Sequence, residues 1–222
     1  MPAVLIIGAS RGIGHELARQ YLAEGWRVIA TARQPADCDT LAALGATCHL
    51  ADVTKVEHLA ALGWKLDDER LDCAILNAGV YGPKHDGFPT QVEFDQVMHT
   101  NVLAAMHLLP MVAPLVAANE GKLAVISSRM GSIGARTNAS GSLYRASKAA
   151  LNSVLADTAL SFGPQGATCV AFHPGWVRTA MGGDEADLSV EQSARGIRRT
   201  LAGLTAQDNG KFLNYDGQPI PW

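Results

Sequence analysis

The chain carries no strong excess of either charge. Across 222 residues, 18 Lys and Arg stand against 21 Asp and Glu, a formal net charge of −3, so there is no electrostatic footing for nucleic acid or an anionic membrane surface as partner. No basic segment precedes the apolar run that starts at Ala3, and no apolar run approaches the length that crosses a bilayer, so a cytoplasmic protein is expected. Cysteine is sparse. Cys38, Cys48, Cys73 and Cys169 form no Cys-x-x-Cys pair, and three of them lie in or beside apolar, strand-like runs; this predicts buried free thiols, with neither a metal site nor a disulfide framework. Linkers, repeats and low-complexity tracts are absent as well. With 48% apolar residues, the chain reads as one α/β domain over residues 1–222.

What is present begins with Ala3 to Ile7, an unbroken apolar run suited to a strand covered on both faces, followed by Gly8-Ala-Ser-Arg-Gly12-Ile-Gly14 and an amphipathic helix that stops at Gly25. A glycine turn between strand and helix lets the backbone approach a pyrophosphate, whose charge the amides and dipole of the helix N-terminus stabilise. Gly8, Ser10, Arg11, Gly12, Ile13 and Gly14 are therefore the first candidate cofactor residues. The same residues also fit the Gly-x-Ser-x-Gly elbow of hydrolases, but that elbow needs an oxyanion donor from a loop after an earlier strand, and no strand precedes residue 3.

Dinucleotide folds commonly place an acid about 20 residues beyond the glycine turn, on the adenosine ribose. Here the second strand, Arg27 to Thr31, runs into Ala32-Arg33. Arg33, joined by Arg11, could grip a 2′-phosphate through charge-assisted hydrogen bonds, which predicts NADP(H) as the cofactor over NAD(H). A third strand, Thr47 to Leu50, delivers Asp52 and Val53; Asp52 is expected to cap the next helix, or else to meet the adenine amino group. Cys73 to Gly79 reads as a fourth strand entering a turn. In that turn Asn77 holds the strand end or the cofactor, and Ala78 and Gly79 are small enough for a ribose to lie close.

From Val92 to Ala118 the period is helical, with Pro110 and Pro114 expected to bend or break the helix and Asn101 unexplained in its middle. Strand five, Lys122 to Ile126, ends at Ser127-Ser128. Strand six, Thr168 to Phe172, ends at His173-Pro-Gly-Trp-Val-Arg-Thr179, and His173 is expected to be a satisfied structural histidine. Ser189-Val-Glu-Gln192 resembles a capping box opening a last helix, and Lys211 to Asn214 gives a final strand.

Between strands five and six, a long helix starting near Ser142 carries Tyr144 and Lys148 on one face, one turn apart. A neighbouring ammonium favours the phenolate, so Lys148 is expected to bring the Tyr144 hydroxyl nearer to neutral pH, where it can donate and recover a proton. Taken alone, the pair also fits a half-buried tyrosine packed under a lysine stem.

Gly8, Gly12 and Gly14, Asn77-Ala-Gly79, Asn101, Ser128, Tyr144-x-x-x-Lys148 and Pro174-Gly175 occur in the order of the short-chain dehydrogenase/reductase motifs, and the chain resembles that family over essentially its full length. The wording Ser128-Arg-Met-Gly-Ser, Pro174-Gly-Trp-Val and the Ile220-Pro-Trp end resembles a subgroup that contains the myxobacterial C-factor and small NADPH-dependent carbonyl reductases. One departure is the interval of 16 residues from Ser128 to Tyr144, longer than usual, which leaves Ser127 as a rival to Ser128. The resemblance implies a Rossmann-type, doubly wound parallel sheet of seven strands in the order 3-2-1-4-5-6-7, with helices on both faces. It implies an oxidoreductase moving a hydride between NADP(H) and a small carbonyl or alcohol, with a C-factor-like signalling protein as the alternative. Tyr144 would be the proton donor and Ser128 would hold the substrate oxygen. Lys148 would lower the Tyr144 pKa and hold the nicotinamide ribose, Asn101 would keep a relay water, and Pro174, Gly175, Val177 and Thr179 would flank the nicotinamide. A homodimer or homotetramer through the helices bearing Asn101 and Tyr144 is also implied. The short loop near 179–190 predicts an open site, lined by Tyr81, Arg129, Met130, Trp176 and Met181.

Overall fold

The computed structural model describes residues 1–85 and 87–222. Seven strands, β1 (Ala3–Ile7), β2 (Arg27–Ala32), β3 (Thr47–Leu50), β4 (Cys73–Leu76), β5 (Lys122–Ile126), β6 (Thr168–His173) and β7 (Lys211–Asn214), form one sheet in the order β3-β2-β1-β4-β5-β6-β7. Every pairing is parallel; Ile7, for instance, sits opposite Thr31 on one side and Leu76 on the other. The crossovers are α1 (Gly12–Ala23), α2 (Pro35–Ala43), α3 (Val56–Leu66), α4 (Gln91–Met98), α5 (Ala104–Ala117), α6 (Ser142–Phe162) and α7 (Val190–Gly203).

Alternation along the strands divides the core in two, because successive side chains leave opposite faces. Ala3, Leu5 and Ile7 pack with Leu59 and Leu62 of α3, Leu108 and Val112 of α5, and Leu151 and Leu155 of α6. Val4 and Ile6 pack with Leu17 and Tyr21 of α1, Leu41 of α2, and Ile197 and Leu201 of α7. With helices on both faces, ligands have access at the carboxyl ends of the strands, and the winding reverses between β1 and β4.

Three expectations need correcting. Cys38 on α2 and Cys48 on β3 form a disulfide across 10 residues, whereas Cys73 and Cys169 are free and buried as expected. The spacing concealed the pair because α2 folds back beside the strand that follows it, bringing the two Cα atoms to 5.3 Å. Pro110 and Pro114 do not break the helix: both stand inside α5 with their rings exposed, so the carbonyls they leave unpaired face water. Finally, Gln91–Ala117 is a helix long and apolar enough to cross a bilayer by length and composition, although 56% of its most apolar window is buried in the protein.

Candidate active site

The carboxyl ends of β1 and β4 meet at the glycine turn. Gly8 has φ +88°, and a Cβ there would lie 2.9 Å from the Ala78 backbone; a Cβ on Gly14 would lie 2.2 Å from the Gly8 carbonyl oxygen and 2.5 Å from Asn77 Nδ2. Only glycine fits such contacts. The turn is held by Gly8 N–H donating to Thr31 Oγ1 (3.0 Å) and by Asn77 Nδ2 donating to the Gly8 carbonyl (2.7 Å). Asn77 is thus a structural tie between the two strands. The N-terminus of α1 has no side-chain cap and no acid in its first turn, which leaves its amides and dipole open to an anion. Arg11 is the residue before this helix, Ser10 is half-buried, and Arg33 is exposed at the end of β2.

Asp52 does not cap α3. The N-cap position belongs to Lys55, with no side-chain bond, and Asp52 Oδ1 instead accepts from the Thr54 amide (3.0 Å) and hydroxyl (2.8 Å) in the preceding turn. Burial pushes the Asp52 carboxyl up, but these bonds and the charge of Arg33 outweigh it and hold the group below its usual range. Val53 turns its side chain into the core.

Around β4, β5 and α6 the remaining candidates converge. The long helical segment is interrupted by a single π-helical turn, His99–Leu103, and Asn101 lies within it. The turn aims the buried amide at Val80: Oδ1 accepts from the Val80 N–H (2.8 Å), while Nδ2 donates to the Val80 carbonyl (2.8 Å) and to Ser147 Oγ (2.9 Å). These bonds explain a mid-helix asparagine, and the extra residue of the π-turn is the irregularity it occupies. A Cβ on Gly79 would lie 3.3 Å from both Asn101 Oδ1 and Lys148 Nζ, so the two groups flank one small gap.

Tyr144 and Lys148 are both buried on α6, as their spacing requires. The Tyr144 ring stacks on Tyr81, with centroids 4.6 Å apart. The expected acidification is not produced by the protein's own groups. Burial pushes the Tyr144 phenol up to about 12, opposed by a hydrogen bond with Ser128 and reinforced by Tyr81. The Lys148 ammonium is 5.7 Å from the ring centroid and donates to the Ile126 carbonyl (2.8 Å); burial lowers it to about 8.

The two serines separate by their partners. Ser127 Oγ donates to Asn152 Oδ1 (2.6 Å), deep in the protein, whereas Ser128 Oγ accepts from the Met130 amide (3.2 Å) and meets the Tyr144 hydroxyl. His173 is half-buried and lowered to about 4 by desolvation and the charge of Arg129, and its Nδ1 has no partner among the described residues. It is neutral but not satisfied, contrary to expectation.

A cleft of about 710 Å³ runs from Ile13 past Ser128 and Tyr144 to Pro174, Gly175, Val177 and Thr179. Tyr81, Arg129, Met130, Trp176 and Met181 all line it, and none of residues 183–188 does. That short loop is tied to itself by Trp176 Nε1 donating to the Gly182 carbonyl (2.8 Å) and by a bridge between Val177 and Leu188. Thr179 faces the glycine turn, its methyl 3.4 Å from a Cβ placed on Gly12, while its hydroxyl bonds Val177 and Gly182. Sequence reading missed Arg145, buried beside Tyr144, which donates to the Ser140 carbonyl (2.6 Å), the Met130 carbonyl (3.4 Å) and Asn138 Oδ1 (2.7 Å). The Asn138-x-Ser140 turn that receives it was the available signal. Ser132, in the same long loop, donates to the Pro221 carbonyl, and Gly134 N–H to that of Trp222 (2.9 Å), so the C-terminal tail anchors the loop.

The short chain dehydrogenase family model matches residues 2–188. Over the whole chain and the whole of the relative, 32% of residues are identical to 1-hydroxy-2-glutathionyl-2-methyl-3-butene dehydrogenase of a Rhodococcus species. The C-signal of Myxococcus xanthus is 42% identical over 46% of this chain and 61% of its own length. NADPH-bound carbonyl reductase from chicken fatty liver superposes with a TM-score of 0.89 at 31% identity, covering 100% of this chain and 99% of the other. With a family model that matches most of its length and a sheet order and fold in agreement with these structures, the chain belongs to the short-chain dehydrogenase/reductase family of oxidoreductases.

Proposed function

We propose that the protein is an NADP(H)-dependent reductase of small carbonyl compounds, able to oxidise the corresponding alcohols. The observation that carries this reading is a cleft lined by Ser128 and Tyr144 and, at the start of the helix that follows the glycine turn, by Ile13; Lys148 lies one turn beyond Tyr144 and meets Asn101 at the gap over Gly79. The turn fits a dinucleotide, because Cβ atoms would fill its cradle and the uncapped start of α1 suits a pyrophosphate. Gly8, Ser10, Arg11, Gly12, Ile13 and Gly14 would hold that group, Arg11 and Arg33 the 2′-phosphate, Asp52 and Val53 the adenine side, and Asn77, Ala78 and Gly79 the ribose side. Tyr144, Lys148, Pro174, Gly175, Val177 and Thr179 would border the nicotinamide end. When bound, the dinucleotide supplies or accepts the hydride.

The chain's own groups do the rest. Ser128 donates a hydrogen bond to the substrate oxygen, and Tyr144, protonated at neutral pH, gives its proton to that oxygen as negative charge builds there. Lys148, cationic below about pH 8, would hold the nicotinamide ribose and pass the proton that restores Tyr144. Asn101 Oδ1 and Lys148 Nζ border the gap over Gly79, where a water can pass the replacement proton inward. We read residues 1–222 as one cytoplasmic domain with a short substrate loop near 179–190. We also read it as a homo-oligomer, since Leu103, Met106 and Leu160 are exposed on the segments that carry Asn101 and Tyr144; a monomer by light scattering would refute that.

The likeness to C-signal favours a second reading, a signalling protein that binds the dinucleotide and acts through partners. Oxidation of NADPH with a panel of aldehydes, ketones and quinones separates the two. Turnover of several panel members supports the reductase, and no turnover of any, with NADPH bound, supports the signalling role.

A further inference from the structure

The substrate cleft carries positive charge that no described lining residue balances. Arg129 and Arg145 both line it, and no aspartate or glutamate appears among its described lining residues. Arg145 is 6% exposed, and its three acceptors, two backbone carbonyls and a side-chain amide, are neutral, so its charge is held at the cleft wall uncompensated. A buried charge without a counter-ion projects a field that water screens weakly. Arg129, directly after Ser128, is exposed, and its side chain makes no hydrogen bond or ion pair among the described residues. Its charge reaches His173 across the cleft. Lys84 also lines the cleft, and Asp86, two residues on, lies outside the described residues.

We infer that the natural substrate is an anionic carbonyl compound, whose carboxylate or comparable acid group lies several bonds from the reacting carbon and is bound by the Arg129 guanidinium. This rests on the reductase reading and extends it to a substrate class. The guanidinium fork accepts a carboxylate in two parallel hydrogen bonds, fixing orientation as well as charge. Arg145 adds attraction from the cleft wall, where each of its three guanidinium nitrogens already donates to the loop. The absence of residues 183–188 from the cleft lining leaves room for an extended, acyclic molecule.

The test is a series of ω-oxo carboxylates of graded length, each paired with its neutral methyl ester, assayed with NADPH. For the best-fitting length, kcat/KM should favour the acid over its ester by about tenfold or more at low ionic strength, and the preference should shrink as salt is added. Arg129→Glu should invert that ratio and Arg129→Lys should keep part of it; circular dichroism checks that each variant is folded. Esters turned over as well as acids at every length, or a ratio indifferent to Arg129→Glu, would overturn the anionic-substrate inference and leave the reductase standing. Failure of acids and esters alike would overturn the anionic-substrate inference, and would overturn the reductase as well if the aldehyde, ketone and quinone panel also gave no turnover.

Discussion

The cofactor half and the substrate half of the crevice are built by different means. At the glycine turn, backbone is pressed against backbone: Gly8, Gly14 and Ala78 approach so closely that no side chain can be added. Across the crevice, residues 129–143 are held by side chains, with Arg145 clamping the Asn138 and Ser140 turn and Ser132 fastened to the C-terminal tail. The first arrangement fixes one ligand shape, while the second can be remodelled by exchanging a few polar residues. A family that shares a cofactor but varies its substrates needs both.

The largest expected effect breaks the rigid half. Gly14→Ala puts a methyl group 2.2 Å from the Gly8 carbonyl oxygen, and should cost about 3 kcal/mol or more of stability together with NADPH binding. Gly183→Ala, in the substrate loop, meets no atom within 4 Å and bears only the left-handed backbone cost of about 1 kcal/mol. Urea unfolding of the two variants compares them; equal losses would erase the distinction between the halves.

How much could be read from sequence follows the same division. The strands, the glycine turn and the Tyr144 and Lys148 face were legible because each rests on local spacing: an apolar run, a glycine at a turn, a helical repeat. The tail anchor on Ser132 was not, because only tertiary folding brings residues 132 and 221 together; the Arg145 clamp and the Cys38–Cys48 bond join nearer residues but depend on how a loop or helix folds back, which spacing does not show. That Pro110 and Pro114 would not break their helix was hidden for a related reason, since their tolerance depends on which helix face meets water. The acidification assigned to Lys148 failed because spacing gives proximity along a helix but not the direction of an ammonium, which here points to the Ile126 carbonyl.

The adenosine side provides the next two tests. Cys38→Ser with Cys48→Ser removes a cross-link over 10 residues and should lower stability by about 2–3 kcal/mol through the entropy returned to the unfolded chain. Urea midpoints measure this, and an unchanged midpoint would show that the bond contributes nothing. A thiol count on protein quenched inside cells also tests the cytoplasmic assignment, because that compartment keeps most thiols reduced. Arg33→Ala should reduce the preference for NADPH over NADH by about 10- to 100-fold, the worth of charge-assisted hydrogen bonds to a phosphate; unchanged Kd values for both cofactors would remove Arg33 from the 2′-phosphate site.

A smaller effect is expected from pH. Burial lowers Lys148 to about 8, so its charge is present below that value and lost as pH rises through it, whereas Tyr144 keeps its proton to about 12. Carbonyl reduction should therefore decline above about pH 8, by up to tenfold per unit. A profile flat to pH 10 would mean that the lysine charge does not support the proton donor. For stability the sign is reversed. Lys148 titrates lower in the folded protein than in the unfolded chain, so the cost of burying its charge is relieved as pH rises from about 8 to the ordinary lysine range.

The most direct measurement is NADPH-dependent turnover of a reactive aldehyde by Tyr144→Phe, alongside NADPH binding to the same variant by fluorescence. Removing only the phenolic oxygen should lower kcat by about 100-fold or more while the cofactor still binds. Turnover within a few-fold of the unmodified enzyme would contradict the assignment of Tyr144 as proton donor.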